Sequence, residues 1–126
     1  MAEPRKKLTI PDLAARKAAG ERLAMVAVGE VLSAAWAERA GIDIIGVGDS
    51  LGMTLYGHET TLAMTVDQMI SHTRAVRRGA PNTFTLVSMP YGSYATREIA
   101  VTNAVRMMKE SGADALKLQG GREMFD

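Results

Sequence analysis

The chain has 126 residues, no cysteine and a formal charge of +1, with 47% apolar and 23% charged residues. This fits one folded domain and excludes disulfides, thiolate metal sites and cysteine nucleophiles. It also excludes the strong field that would draw in nucleic acid or an acidic membrane, and no membrane span or signal peptide is predicted, which fits a cytoplasmic protein.

Residues 1–22 read as an arm and a helix. Arg5, Lys6 and Lys7 are expected in a solvated tail, and Ile10-Pro11-Asp12 opens the helix that Gly20 stops. Residues 23–28 (LAMVAV) are an unbroken apolar run, which suits a strand covered on both faces. An alanine-rich helix is predicted over 33–40 and a second strand over 42–47. A loop holding VGDSLGM and YGHETT follows. Thr65 caps a helix over 65–78, with Val66, Met69, Ile70, Thr73 and Val76 at helical spacing and Gly79 as its stop. Residues 83–87 form a third strand and 88–94 a loop. A third long helix spans 96–110, with Ile99, Val101, Ala104, Val105 and Met108 as its core stripe. Residues 115–118 form a fourth strand, and 122–126 start another helix.

The pattern is a repeat. Ala40-Gly41-Ile42-Asp43 and Ser111-Gly112-Ala113-Asp114 share one form just before a strand. The helix-ending glycines Gly41, Gly79 and Gly112 lie 38 and 33 residues apart, one βα unit each time. Alternating strands and helices with short links imply a parallel sheet with right-handed crossovers. Residues 23–126 hold four such units. Two architectures fit: a small open α/β sheet, or the first half of a (β/α)8 barrel, which typically needs about 250 residues. The helix starting at 122 with no capping glycine behind it favours the half barrel.

Sites in parallel α/β folds lie beyond the C-terminal ends of the strands. This sequence puts Gly29-Glu30, Gly48-Asp49-Ser50, Ser88, Lys117 and Gln119 there. Lys117 either snorkels outward or faces the lumen and binds a carboxylate or enolate. Asp49 is either a turn cap or a ligand for a divalent cation or polar molecule. His58 and His72 read as ordinary surface or packing histidines. Gly46, Gly48 and Gly52 are not a dinucleotide fingerprint, because the third glycine is one residue late and no helix pattern starts there. Met53, Met64, Met69, Met107 and Met108 read as core filler.

The stretches VGDSLGMTLYGHETT (47–61), MISHTRAVRRGAP (69–81), MPYGSYAT (89–96) and ALKLQGG (115–121) resemble the ketopantoate hydroxymethyltransferase family, from about residue 23 onward. The resemblance implies a (β/α)8 barrel of the phosphoenolpyruvate mutase/isocitrate lyase type, of which this chain is the N-terminal half. It implies hydroxymethyl transfer from 5,10-methylenetetrahydrofolate to 3-methyl-2-oxobutanoate, giving 2-dehydropantoate for pantothenate synthesis. Mg²⁺ would chelate the keto and carboxylate oxygens, and the protein would be a homo-oligomer, decameric in bacteria. Asp49 matches a metal-ligand aspartate, Ser50 a contact to the oxo acid, and Lys117 a lysine on the substrate oxygens. Ser88 and Gln119 stand where the family carries two further Mg²⁺ carboxylates, and Ala27-Val28-Gly29-Glu30 replaces a Thr-Ala-Tyr-Asp run. The expected substrate contacts are therefore Asp49, Ser50, Ser88 and Lys117, with Asp49 as the metal carboxylate. The family's general base, a glutamate, belongs to the other half of the barrel. These departures keep two alternatives open: a paralogue that enolises or cleaves another 2-oxo acid, and a non-catalytic binding or assembly protein.

Overall fold

A computed structural model describes residues 5–124. Helix α1 (Ile10–Ala18) starts in a capping box: Thr9 accepts from the Asp12 amide, and the Asp12 carboxylate accepts from Thr9 N at 2.8 Å. Strand β1 (Met25–Ala27) leads into α2 (Val31–Arg39), then β2 (Ile44–Val47). A single helical turn, α3 (Leu51–Thr54), follows where a loop was expected. Its sequence is too short and glycine-rich to show helical periodicity. Helix α4 (Val66–Gly79) begins in a second capping box, between Thr65 and Gln68. Then come β3 (Phe84–Ser88), α5 (Arg97–Ser111) capped by Thr96, and β4 (Ala115–Lys117). Residues Arg122–Met124 form a 3-10 turn, and residues 125 and 126 of the expected final helix lie outside the described residues.

All strands are parallel, in the order β1-β2-β3-β4. An open doubly wound sheet reverses its strand order at a switch point, and this one does not. Right-handed crossovers in a constant direction put every helix on one face, as in a barrel wall. The helix-facing side carries Val26, Ile45, Val47, Val87 and Leu116, packed against Ala34, Ala37, Met69, Ile70, Val76 and Met107. The opposite, inner face carries Met25, Gly46, Leu86, Ser88, Ala115 and Lys117. A Cβ on Gly46 would come within 2.6 Å of Met25 Cε, the flexible end of an exposed side chain that can move aside.

The repeated Asp-before-strand motif has one structural role. Ala24 N donates to Asp43 Oδ2 at 2.9 Å while Asp43 N donates to Ala24 O. Thr85 N donates to Asp114 Oδ2 at 2.8 Å while Asp114 N donates to Thr85 O. Each aspartate thus clamps its strand to the preceding one at the amino end. Gly41 and Gly112 end their helices at φ 80° and 74°, a region costly for other residues.

Four expectations need correction. Gly79 is not a helix stop by conformation; it is the last residue of α4. A Cβ on it would sit 2.3 Å from the Val31 carbonyl oxygen, so glycine lets α4 touch α2. Arg5 and Lys7 are not in a solvated tail. Arg5 donates to Ile42 O and Asp43, and Lys7 pairs with Asp114 at 2.5 Å. The expected α5 stripe is mostly exposed: Ile99, Val101, Val105 and Met108 face out, while Met107 and Ser111 are buried and Ala104 packs on the core. Val101, Val105 and Met108 are exposed on the flank away from α4, where Val101 lines a groove with Leu118 and Met124. Of the methionines read as filler, Met64, Met69 and Met107 are buried, but Met53 and Met108 are exposed.

Candidate functional site

The site is built from the last inner-facing row of the sheet. Ser88 and Lys117 are register partners on β3 and β4, and Met89 N donates to Lys117 O at 2.9 Å. Register partners on parallel neighbours point the same way, about 4.8 Å apart. Lys117 is therefore on the inner face with Ser88, not on the helix side. One step beyond the last β2–β3 pair, Gly48 falls beside Ser88 in the same row. Gly48 adds no side chain, and the hydroxyl of Ser50 folds back over it. A Cβ on Gly48 would lie 3.1 Å from Ser50 Oγ. The turn is held by Leu51 N to Gly48 O at 3.1 Å and Gly52 N to Asp49 O at 3.0 Å. Asp49 sits half-buried at that turn, and Ser50 is exposed.

Ser88 is 2% exposed, Lys117 is exposed on the inner side, and Gln119 is exposed just beyond β4, where it lines the groove along α5. Among the described residues, none of the side chains of Asp49, Ser50, Ser88, Lys117 and Gln119 makes a hydrogen bond or ion pair within the protein. Only the backbone of Gln119 is engaged, by the Tyr94 hydroxyl at 3.2 Å. Glu30 behaves differently. Its carboxylate accepts from Leu32 N and Ser33 N at 2.6 Å each as the cap of α2. Those hydrogen bonds, from Ser33 first, hold its pKa below the usual carboxylate value. It is a helix cap and leaves the set of candidate ligands.

The donor set does not fit a resident Mg²⁺. Among the described residues no three His, Cys, Asp or Glu side chains converge. The corner offers one carboxylate, with neutral side chains at 88 and 119, whereas Mg²⁺ demands near-octahedral oxygen ligation.

A residue read as ordinary, His72, ties the rim together. Its Nδ1 donates to Gly29 O at 2.5 Å, and its Nε2 meets the Tyr56 hydroxyl at 2.6 Å. Tyr56 in turn stacks on His58, with ring centroids 5.7 Å apart. One ring on α4 thereby holds the loops after β1 and β2. The contacts span 43 and 16 residues, so no local signal marks them. An open groove of about 860 Å³ lies beside this corner, lined by Tyr94, Val101, Leu118, Gln119 and Met124. It follows the uncovered flank of α5, and Asp49, Ser50, Ser88 and Lys117 are not part of its wall.

The family model described as ketopantoate hydroxymethyltransferase matches residues 7–126. A 3-methyl-2-oxobutanoate hydroxymethyltransferase of Methylibium petroleiphilum is 51% identical over 118 residues, covering 94% of this chain and 40% of that protein. Proteins of the same name from Geobacillus kaustophilus and Thermus thermophilus are 54% and 48% identical, covering 87% and 94% of this chain and 40% and 44% of theirs. The chain thus spans about two fifths of the length of these relatives. Among solved structures, a 2,3-dimethylmalate lyase of the phosphoenolpyruvate mutase/isocitrate lyase superfamily matches with TM-score 0.64 at 16% identity, covering 90% of this chain and 43% of that one. That likeness concerns the fold, and with the strand order it makes this sheet half of a (β/α)8 barrel. On the family match and these identities, the chain belongs to the ketopantoate hydroxymethyltransferase family.

Proposed function

We propose that this chain forms the oxo-acid corner of a hydroxymethyl-transfer site, acting on 3-methyl-2-oxobutanoate with 5,10-methylenetetrahydrofolate and giving 2-dehydropantoate. Relatives named for that transfer support the reading. The observation that carries it is the inner row of Gly48, Ser88 and Lys117 with the Ser50 hydroxyl folded over it. In this reading the C3–H bond of the oxo acid breaks and its electrons move onto the keto oxygen. The ammonium of Lys117 and the hydroxyls of Ser50 and Ser88 stabilise the charge that develops there. C3 then bonds to the methylene carbon, and the carbon–nitrogen bonds of the carrier break with their electron pairs going to nitrogen. The C3 proton and one proton of a water end on the carrier nitrogens, and the hydroxyl of that water ends on the new carbon. The base that takes the C3 proton comes from the other half of the barrel. The protein acts as a cytoplasmic homo-oligomer.

A second reading, enolisation or cleavage of a different 2-oxo acid, is favoured by the neutral side chains at Ser88 and Gln119. The test joins this chain to the remaining βα units of the Geobacillus kaustophilus relative. The product is then followed in D₂O with 3-methyl-2-oxobutanoate. Deuterium entering C3 faster than in buffer is expected; no exchange, with or without Mg²⁺, sinks the reading.

A further inference from the structure

Resting on that reading, we infer that this corner binds its 2-oxo acid directly, as an anion held by hydrogen-bond donors, with no resident divalent cation. The side chains divide unevenly by chemistry. Lys117 has three donors and no acceptor; Ser50 and Ser88 donate or accept; the Gln119 amide does both; only Asp49 is acceptor-only. Such a set is rich in what an anion needs and poor in what a hard cation needs.

Charge leads to the same conclusion. Asp49 and Lys117 cancel formally. A divalent cation placed between them would leave the corner strongly positive beside an ammonium. A 2-oxo acid brings one negative charge and leaves it beside that ammonium. Geometry supplies the fit. A 2-oxo acid presents its carboxylate and keto oxygens along one edge, and Ser88 and Lys117 offer donors from adjacent strands on one face. Ser88 is largely buried, and its hydroxyl, which makes no protein hydrogen bond among the described residues, is not sealed off, so a ligand can reach it. Asp49 and Lys117 form no ion pair with each other within 4.0 Å, so the ligand has no internal bridge to break on entry. Asp49 is the one acceptor-only side chain of the set, and it lies half-buried at the turn after β2.

The inference is tested by titration calorimetry on the intact polypeptide, with 3-methyl-2-oxobutanoate and with pyruvate, first in EDTA and then in millimolar Mg²⁺. Affinity in the two buffers is expected to agree within about twofold, and Lys117→Met to weaken binding about tenfold or more. The double change Ser88→Asp with Gln119→Glu should reverse the behaviour: weaker binding in EDTA, restored by Mg²⁺. Binding by the unmodified chain that requires Mg²⁺, or saturation by Mg²⁺ alone below millimolar, overturns the inference. So does a Lys117→Met chain that binds as before. If a variant fails to fold, the comparison of the two buffers on the unmodified chain still decides. Pyruvate bound in EDTA while 3-methyl-2-oxobutanoate is not leaves the inference standing and removes the proposed substrate. No binding of either acid in either buffer overturns the inference, and the deuterium-exchange experiment judges the functional reading separately.

Discussion

The two ends of the sheet treat their polar groups in opposite ways. At the amino end, Asp43 is bound by Arg5, Arg16 and the Ala24 amide; Asp114 by Lys7 and the Thr85 amide; Glu38 by Asn82 N and Thr83 Oγ1. At the carboxyl end, the side chains of Asp49, Ser50, Ser88, Lys117 and Gln119 are free of protein partners among the described residues. A polar group that serves the fold is satisfied by the fold. One that serves a ligand keeps its capacity open, and the stability it forgoes is the mark of the site.

The sharpest way to break this contrast is at Asp43. Asp43→Ala removes a carboxylate that is only 13% exposed and leaves two arginines and a backbone amide without their partner. A loss of about 2–3 kcal/mol in urea unfolding is expected. The same group predicts an acid limb. The Ala24 amide hydrogen bond, ahead of Arg16 and Arg5 and against burial, holds the Asp43 carboxyl below its ordinary value. Its contribution is therefore complete above about pH 4 and lost as pH falls through the lowered folded-state value. Asp43→Asn should flatten that limb of the stability–pH curve.

Next in size is Gly79→Ala. Helix propensity alone favours alanine by about 1 kcal/mol. The new methyl meets a backbone carbonyl that cannot rotate away, and overpacking of that kind costs about 1–3 kcal/mol. Net destabilisation of up to about 2 kcal/mol should appear in the unfolding midpoint. At the carboxyl end, Lys117→Met should change stability by less than about 0.5 kcal/mol while weakening oxo-acid binding about tenfold or more. If it destabilises as much as Asp43→Ala, the two ends do not differ as described. The smallest effect belongs to Arg106, whose exposed pairs with Asp67 and Glu110 are screened by solvent. Arg106→Ala should leave the melting temperature unchanged within error, above all at high salt.

Much of this was legible from the sequence, and what was missed has a common cause. Strands announce themselves by apolar runs, and the end of each run marks the rim, so Asp49, Ser88 and Lys117 could be placed at one mouth. The Asp43 and Asp114 repeat was visible as a pattern, but its partners lie on other strands, at Ala24 and Thr85. Gly79 looks like any helix-ending glycine until α2 is laid against it. The α5 stripe misled because Val101, Val105 and Met108 have apolar spacing but lie exposed, while Met107 and Ser111 are the residues turned to the core. His72 carries no local sign of holding Gly29 and Tyr56. Local pattern reports the element; only tertiary contact reports what a single side chain is for.

The strand order has a further consequence. Among the described residues the most extensive packing runs between neighbours within each layer: β1 on β2, β2 on β3, β3 on β4, α2 on α4 and α4 on α5. The chain is in this respect a linear array with nearest-neighbour coupling. Its centre, where β2 and β3 are paired on both sides and α4 packs against both, is the most cooperative part and the last to open. The candidate site straddles the edge of that centre: Asp49 and Ser50 are rooted on the central β2, and Ser88 on the central β3. Lys117 lies on β4, outside that doubly paired centre of the described sheet and held to β3 by Met89 N to Lys117 O.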